Sequence, residues 1–390
     1  MRKVYLDNNA TTRMREEVFE AMLPYCKDVY GNASSIHQFG RAARTAVDKA
    51  RQLVAELLGA SSPEEIIFTS GGTESDNFAL KGVAHSLRKK GDHIITSAIE
   101  HSAVLNAARA LEKDGYKVTY LSVDGNGFIN LNDLKNAITD KTVLISIMYA
   151  NNEVGTIEPV NEIGAIAREK GVYFHTDAVQ AAGKVLFSVK DMPVDLVSMS
   201  AHKIYGPKGV GAIYVRKGTK IDAMMHGGRH EMNKRAGTEN VPGLAGLGKA
   251  AELARKEAAE EISKLRSLRD YLCKGISSNI AHTRINGDPE NTLPNTANIG
   301  FKYLEGESIM LNLDMEGIAV STGSACTSGT LEPSHVLTAM GIDAADAQGS
   351  IRFSLGRDNT KEDMDYVLKT LPPIIQRLRD MSPLYEQGRP

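Results

Sequence analysis

Hydrophobic and polar positions follow two alternating periods between residue 16 and about residue 260. Arg41–Leu58 places Val47 and Val54 on one face at helical spacing, which predicts a helix. Short apolar runs rich in β-branched residues, such as Glu65–Thr69, predict buried strands. Similar runs are His93–Thr96, Lys117–Leu121, Val143–Ile147, Val172–His175, Leu196–Met199 and Gly211–Val215. Because helical segments such as Ala103–Lys113 separate many of these runs, the pattern predicts an α/β domain with a mostly parallel sheet.

A long helical stretch from about Gly243 to Cys273 follows this pattern, and shorter strand and helix signals come after it. We therefore expect two domains. Residues 16–261 would form a large α/β domain, and residues 262–390 a smaller α+β domain on which residues 1–15 pack. The expected fold class is α/β.

Composition narrows the class of protein. The net charge of −2 and the pI of about 6.6 argue against nucleic-acid binding. The longest apolar stretches, such as Val143–Ala150, are too short to span a bilayer, which takes about 20 residues. The polar start of the chain predicts no secretion signal. The three cysteines, Cys26, Cys273 and Cys326, are too few and too scattered for a disulfide framework or a CxxC metal site. We expect a cytoplasmic protein with reduced thiols, no membrane partner and no stable metal site.

Thr69–Asn77 is the first of three polar clusters that follow apolar strands. Gly71 and Gly72 stand between a predicted strand and a predicted helix, where backbone N–H groups can approach an anion closely, and Thr73 adds a hydroxyl. This arrangement suits a phosphate. The alternative is an ordinary glycine turn in which Thr73 or Ser75 caps the helix.

The second and third clusters contain one acidic and one basic residue at strand ends. Asp177 directly follows an apolar strand, where a carboxylate is costly unless it meets a cation or strong donors. Lys203 follows Leu196–Met199 and lies near Ser200 and His202; a lysine there can form a Schiff base with a carbonyl if its pKa is lowered. The alternatives are a helix cap for Asp177 and a solvated loop lysine for Lys203.

Together the three clusters predict a cofactor site. A phosphate cradle, a buried carboxylate that keeps a pyridine nitrogen protonated, and a lysine that binds an aldehyde are the three features that pyridoxal 5'-phosphate requires. Ligands of open α/β sheets bind at the carboxyl ends of the strands, and all three clusters lie at such ends.

The sequence resembles the cysteine desulfurases, members of the class V aminotransferase family with the fold-type I pyridoxal-phosphate architecture. The resemblance covers essentially the whole chain, and the segment around Cys326 with LEPSHV after it is most similar to the NifS-like branch, close to the housekeeping iron–sulfur branch. The motifs that carry it are YLDNNATT (Tyr5–Thr12), YGNASSIH (Tyr30–His37), TSGGTESDN (Thr69–Asn77), EHSAV (Glu100–Val104), ANNEVGTI (Ala150–Ile157), HTDAVQ (His175–Gln180), SAHKIYGPKG (Ser200–Gly209), RAGTENVPG (Arg235–Gly243), LPNTANI (Leu293–Ile299), STGSACTSG (Ser321–Gly329) and IRFSLGR (Ile351–Arg357).

This resemblance assigns expected roles to individual residues around the cofactor. It implies that Lys203 binds the cofactor and moves the substrate Cα proton, that Asp177 pairs with the pyridine nitrogen, and that Gln180 donates to the ring oxygen. His101 would stack on the ring and shuttle protons; without the resemblance it would be interpreted as a helix cap. The expected phosphate ligands are Gly72, Thr73, Ser200, His202 and, from the second subunit, Thr238.

The resemblance also implies a substrate clamp, a nucleophile and partners. Asn152 and Arg352 would hold the carboxylate of L-cysteine, although Arg352 alone could be a surface ion pair. Cys326 lies among small and hydroxylated residues, and its thiolate would attack the substrate sulfur to give L-alanine and a persulfide. The expected partners are a second copy of the chain in a homodimer with shared active sites and an iron–sulfur scaffold protein, and Cys326 would be the residue to ligate a cluster iron transiently. One departure from the family pattern, Arg229–Lys234, lies next to Thr238.

Two other functions remain open from the sequence. A selenocysteine lyase or class V aminotransferase would use the same lysine and carboxylate clamp, although an aminotransferase needs no loop thiol. A non-catalytic assembly partner could retain the fold, but the presence of Lys203, Asp177 and Cys326 together argues against it.

Overall fold

The structure is a computed structural model that describes residues 2–322, 333–383 and 385. Its strands are β1 Val4–Tyr5, β2 Ile66–Thr69, β3 His93–Ser97, β4 Lys117–Leu121, β5 Thr142–Ser146, β6 Tyr173–Asp177, β7 Leu196–Ser200, β8 Gly211–Val215, β9 Thr283–Asn286, β10 Thr296–Phe301, β11 Ile318–Ala319, β12 Ser321–Thr322 and β13 Ser350–Ser354. Its α-helices are α1 Glu16–Lys27, α2 Gln38–Leu58, α3 Gly72–Ser86, α4 Ser102–Lys113, α5 Leu131–Ala137, α6 Val160–Glu169, α7 Val241–Asn279, α8 Gly306–Met315, α9 His335–Ala339, α10 Ala344–Gln348 and α11 Lys361–Asp380.

A large mixed sheet organises the first two thirds of the chain. Within the described residues it has seven strands in the order β2-β8-β7-β6-β5-β3-β4. The pairs among β4, β3, β5, β6 and β7 are parallel, whereas β8 runs antiparallel to both β7 and β2. The prediction of an α/β fold with a mostly parallel sheet is confirmed, and the carboxyl ends of the central strands meet at one edge.

Both faces of this sheet are covered, which explains why all residues of β2, β3, β5, β7 and β8 are buried. Successive side chains of a strand point to opposite faces. Ile66 and Phe68 therefore pack in one core cluster, with residues of α2 and α7, while Ile67 packs in another with residues of α3 and α4.

A second, antiparallel sheet lies in the C-terminal part of the chain, with the described strands ordered β12-β13-β10-β9. The short strand β1 pairs in parallel with β11, and Val4 and Leu6 share a core cluster with Ile351 and Phe353 of β13. The helix α7 runs through the expected boundary between residues 261 and 262, so that the proposed division into two domains stays a prediction.

The predicted elements are confirmed with shifts of a few residues at their ends. The helix predicted over Arg41–Leu58 begins earlier, at Gln38, because His37 caps it by accepting from the Gly40 N–H. In the described part of the chain, none of the helices has the length and apolar character needed to cross a membrane.

Candidate active site

The acidic and basic clusters lie on adjacent strands of the large sheet. Asp177 is the last residue of β6, and its register partner on β7 is Ser198. Lys203 follows β7 at the end of a single 3₁₀ turn, Ala201–Lys203. The parallel pairing of β6 with β7 therefore brings these two polar segments to the same edge of the sheet.

The glycine turn begins α3 without a side-chain cap. The residue before the helix, Gly71, has a φ of 155° and makes no capping bond, which leaves the first-turn amides without one. A Cβ on Gly72 would lie 2.7 Å from Val179 Cγ2 and 3.8 Å from Ser200 Cβ, so only glycine fits there. The alternative in which Thr73 or Ser75 caps the helix is wrong: Ser75 is buried and donates to the Gly71 carbonyl oxygen, and Thr73 is exposed inside the helix.

Asp177 is buried and forms a local turn. Its Oδ1 accepts from the Val179 N–H at 2.9 Å, and residues 179–183 form turns, so the alternative of a helix cap is wrong. Burial raises the pKa of the Asp177 carboxyl, while the nearby side chains of His101 and Lys203 act in the opposite direction. A cationic ligand atom beside this carboxylate would favour its charged form further.

His101 caps a helix and also interacts electrostatically with Asp177 and Lys203. Its Nδ1 accepts from the Ala103 N–H at 3.1 Å at the start of α4, which leaves Nε2 as the protonated nitrogen of the neutral ring. Burial lowers the pKa of His101, the Asp177 carboxylate raises it, and Lys203 lowers it again. His101, Asp177 and Lys203 are thus close enough to influence each other's charge.

Lys203 lies against the N-terminal loop of the chain. Its Nζ donates to the carbonyl oxygen of Asn9 and, at 2.7 Å, to that of Ala10. The adjacent His202 is bound to the same loop through its Nδ1, which lies 3.2 Å from Thr11 Oγ1. Burial, followed by the charge of Lys203, lowers the pKa of His202 to about 4, so this imidazole is neutral at physiological pH. The exposed residue Lys208 is the solvated loop lysine.

Gln180 is buried between Asn9 and a second lysine. Its Nε2 donates to the Asn9 carbonyl oxygen at 3.0 Å, and its Oε1 accepts from Lys184 Nζ at 3.0 Å. Gln180 and Lys203 therefore share one acceptor, the Asn9 carbonyl, which places them side by side.

The two expected substrate ligands are in direct contact. Arg352 is 4% exposed, and its Nη1 donates to the Asn152 carbonyl oxygen at 3.0 Å. Its Nη2 donates to Asp7 Oδ1 at 2.9 Å. The alternative of a surface ion pair is wrong, because the guanidinium is buried, and its Nε has no hydrogen-bond partner among the described residues.

Thr238 is exposed, and its expected contact with the phosphate of another subunit stays a prediction.

The segment Arg229–Lys234, which departs from the family pattern, is held by Glu231. The Glu231 carboxylate accepts from both terminal nitrogens of Arg51 at 2.6 Å and from the Phe68 N–H at 2.8 Å. These bonds hold Glu231, Met232 and Asn233 at positive φ. The departure from the family pattern therefore leaves a well-anchored turn.

Cys326 lies outside the described residues, but the flanks of its segment are described. Before it, Ser321 of β12 is the register partner of Arg352. After it, Ser334 caps α9 and its Oγ donates to Glu153, the neighbour of Asn152 in the chain. Both flanks are thus attached beside the candidate substrate clamp. Of the other thiols, Cys26 is exposed on α1, and burial raises the pKa of Cys273 to about 11.

Sequence reasoning missed three residues that support the site. Asn9 supplies the carbonyl shared by Lys203 and Gln180, Lys184 holds Gln180, and Glu153 holds Ser334. Asn9 and Glu153 lie in the quoted motifs YLDNNATT and ANNEVGTI, so a role for the motif was visible, but their partners were not. For Lys184 the signal was a lysine in an otherwise apolar stretch, AAGKVLF.

Comparison with protein families gives one match over most of the chain. The family described as Aminotransferase class-V matches residues 4–367.

Curated relatives and solved structures are similar over nearly the full length. A protein of Dictyoglomus turgidum named cysteine desulfurase IscS is 57% identical over 388 residues, which cover 100% of this chain and 98% of the relative. A solved structure titled NifS-like protein is 43% identical with a TM-score of 0.91, covering 97% of this chain and all of the other. A structure titled SspA in complex with cysteine is 37% identical with a TM-score of 0.81, covering 90% of this chain and 99% of the other.

Proposed function

Since the chain belongs to the class-V aminotransferase family and, within it, to the cysteine desulfurases, we propose that it is a pyridoxal-phosphate enzyme that converts L-cysteine to L-alanine. The sulfur atom passes to the thiol of Cys326 as a persulfide and then to a scaffold protein for iron–sulfur cluster assembly. The observation that carries the proposal is the electrostatic group of Lys203, Asp177 and His101 beside the uncapped start of α3.

The residues present fit pyridoxal phosphate. The glycine at position 72 leaves room where a Cβ would collide with Val179, and the first-turn amides of α3 suit a phosphate dianion. Thr73, Ser200 and His202 are the further phosphate ligands we propose, and the neutral imidazole of His202 can donate a hydrogen bond without adding charge.

Three other residues would hold the ring and the aldehyde. The Asp177 carboxylate is desolvated and would regain a favourable interaction by pairing with a protonated ring nitrogen. The Gln180 amide donates one of its two hydrogens to the Asn9 carbonyl oxygen, and the second would be donated to the ring oxygen of the cofactor. Lys203 is the residue that would bind the aldehyde. When bound, the cofactor supplies an electron sink that stabilises negative charge on the substrate Cα.

Lys203 and His101 are the chain's own groups beside the reacting atoms. The side-chain amine of Lys203 would remove and return the Cα proton of the substrate. His101 has the lone pair of its Nδ1 occupied by the helix cap, so that Nε2 carries the proton of the neutral ring. The lowered pKa of His101 keeps this imidazole neutral near pH 7, and its Nε2–H would donate a hydrogen bond at the reacting centre.

The substrate clamp and the thiol complete the proposal. Arg352 would exchange part of its present bonding for two parallel bonds to the substrate carboxylate, and Asn152 would add an amide donor. The Cys326 thiolate would attack the sulfur of L-cysteine, whose Cβ–S bond breaks while Cβ gains a proton. One thiol and one cysteine thus give one persulfide and L-alanine, with atoms and electrons in balance. The attachment of both flanks of the Cys326 segment beside Arg352 and Asn152 supports this role.

A homodimer is the assembly we propose, with Thr238 of each chain completing the phosphate site of the other. It is supported by an exposed apolar group in the YGNASSIH motif and α2, where Tyr30, Ile36 and Phe39 are 74%, 91% and 54% exposed. Sedimentation of the wild type should give twice the chain mass, and Ile36→Asp should shift it toward the monomer. Leu311→Asp, a change at an exposed leucine on α8, is the control.

The test of the activity uses the pyridoxal-phosphate-loaded protein with L-cysteine and a thiol reductant. We expect equal amounts of sulfide and alanine with the reductant, a persulfide on Cys326 by mass analysis when the reductant is omitted, and loss of both products in Cys326→Ser but not in Cys26→Ser or Cys273→Ser. A faster reaction with L-selenocysteine that survives Cys326→Ser would indicate a lyase, and amino transfer to a 2-oxo acid would indicate an aminotransferase. If the loaded protein turns over none of these substrates, the remaining function is that of a non-catalytic assembly partner that retains the fold. A sulfur-transfer assay with candidate scaffold proteins then identifies the acceptor.

A further inference from the structure

We propose that Lys184 is a positioning residue that fixes the amide of Gln180 with its nitrogen toward the cofactor, and thereby sets the hydrogen bond that the cofactor ring receives. The inference rests on the proposed function, since it concerns the same cofactor site. Lys184 has no direct role in the chemistry described above.

Lys184 is buried in a position where lysines are rarely found. It is 6% exposed, and among the described residues Gln180 Oε1 is its hydrogen-bond partner, at 3.0 Å. A buried ammonium with one neutral partner is costly, and such a group is retained in a fold when it serves a purpose that an apolar residue could not.

An ammonium group allows only one orientation of the Gln180 amide. The two ends of a glutamine amide have nearly the same shape, but one end accepts hydrogen bonds and the other donates them. An ammonium only donates, so the oxygen must face Lys184. The amide nitrogen then faces the opposite way, where it donates to the Asn9 carbonyl that also accepts from Lys203. The second hydrogen of the same nitrogen is the one that we assign to the cofactor ring.

The charge of Lys184 depends on the groups around it. Burial, followed by the charge of Lys203, lowers the pKa of Lys184 to about 7, while Glu261 acts in the opposite direction. A neutral amine can accept as well as donate, so only the protonated form excludes the reversed amide from the Lys184 side, while the Asn9 carbonyl, which only accepts, favours the same orientation from the other side. The charged and titratable groups around Lys184 come from four elements, and they are Arg15 before α1, His202, Lys203 and Tyr205 after β7, Glu261 of α7 and Arg352 of β13.

The experiment measures the pH midpoint at which the bound cofactor changes its absorbance, which is a readout separate from turnover. A hydrogen bond to the ring oxygen stabilises the deprotonated form, so losing it should raise the midpoint. We expect Lys184→Met to raise it by about 0.5–1 pH unit, the equivalent of one hydrogen bond. Lys190→Met removes the same charge from an exposed lysine six positions later and should leave the midpoint unchanged.

The double variant separates positioning from a direct effect of charge. Gln180→Met should raise the midpoint alone, and Lys184→Met added to it should cause no further shift if Lys184 acts through Gln180. Additive shifts, or an unchanged midpoint in Lys184→Met, would overturn the positioning role while the proposed function stands. If Lys184→Met does not fold, Lys184→Gln serves instead, because its amide can accept as well as donate and should give the same shift. A wild type that binds no pyridoxal phosphate would contradict the proposed function itself.

Discussion

Arg352 donates a hydrogen bond from Nη1 to the backbone oxygen of Asn152 at 3.0 Å, across 200 residues of sequence. Because Arg352 lies on β13 and Asn152 in the loop after β5, this bond joins the small antiparallel sheet to the edge of the large one. Asp7 holds the other terminal nitrogen of the same guanidinium. Arg352 and Asn152, the two residues proposed to hold the substrate carboxylate, are therefore in contact without substrate.

Arg352→Lys should raise the KM for L-cysteine about tenfold or more and change kcat less. A lysine keeps the charge but loses the planar fork that binds a carboxylate through two bonds, and a charge-assisted hydrogen bond is worth about 1.5–3 kcal/mol. The measurement is steady-state sulfide release. Arg284→Lys, at an exposed position of β9 in the same sheet, is the control. An unchanged KM would mean that Arg352 serves the fold alone, through Asp7.

Asp177→Asn should slow exchange of the substrate Cα proton by about tenfold or more. The amide cannot keep the ring nitrogen protonated, and about 1.4 kcal/mol corresponds to one decade in rate. Exchange with deuterium from the solvent is followed by NMR. Asp195→Asn is a matched control, because Asp195 also accepts from a backbone N–H, that of Phe174, but lies before β7 at the opposite end of the strand. Equal exchange rates in the two variants would show that Asp177 does not help to stabilise negative charge on the substrate Cα.

Lys203→Ala should reduce turnover by at least about 10²-fold, the contribution of a general base. The cofactor should remain bound without a covalent link, through Asp177 and the phosphate cradle, and should show the absorbance of the free aldehyde. Lys208→Ala, at an exposed lysine in the same loop, should retain both turnover and the wild-type spectrum. If Lys203→Ala keeps the wild-type spectrum, another lysine binds the aldehyde, and Lys184 is then the first to examine.

His175 should make the fold sensitive to acid. Its ring is buried between Ser146 and Ser198, with ring-nitrogen to Oγ distances of 2.8 and 2.9 Å, and burial lowers its pKa from 6.5 to about 3. Between these two values the unfolded chain binds a proton that the folded protein does not, so the free energy of unfolding falls as pH decreases. The loss is about 1.4 kcal/mol for each pH unit.

Comparison with His175→Gln isolates this contribution from that of other titrating groups. The difference in free energy of unfolding between wild type and variant, measured with urea, should decrease by about 1.4 kcal/mol per pH unit below 6.5. A difference that stays constant with pH would mean that His175 binds protons alike in the folded and the unfolded protein.

Much of the fold could be predicted because its signals are local. The strands Lys117–Leu121 and Gly211–Val215 have the ends that the sequence predicts. In Gly211–Val215 all five residues are buried, as an apolar run predicts. What the pattern could not predict is the direction of β8, which runs antiparallel to its neighbours. Direction depends on the short Lys203–Val210 connection that follows β7, too short for the crossover that a parallel strand requires.

The sequence by itself determined which chemistry this chain carries: a glycine turn, Asp177 and Lys203 near the carboxyl ends of two apolar runs, and Cys326 among small residues. Those signals are readable because each combines a residue type with its immediate neighbours. The tertiary structure alone decided that Gln180 and Lys203 share the Asn9 carbonyl, that Lys184 faces Gln180, and that Ser334 meets Glu153. Three of these four bonds join residues that lie more than 170 positions apart, and two of those three are made to a backbone oxygen. A backbone oxygen carries no side-chain identity, and a partner so distant is defined only when the sheets close and bring the two segments together.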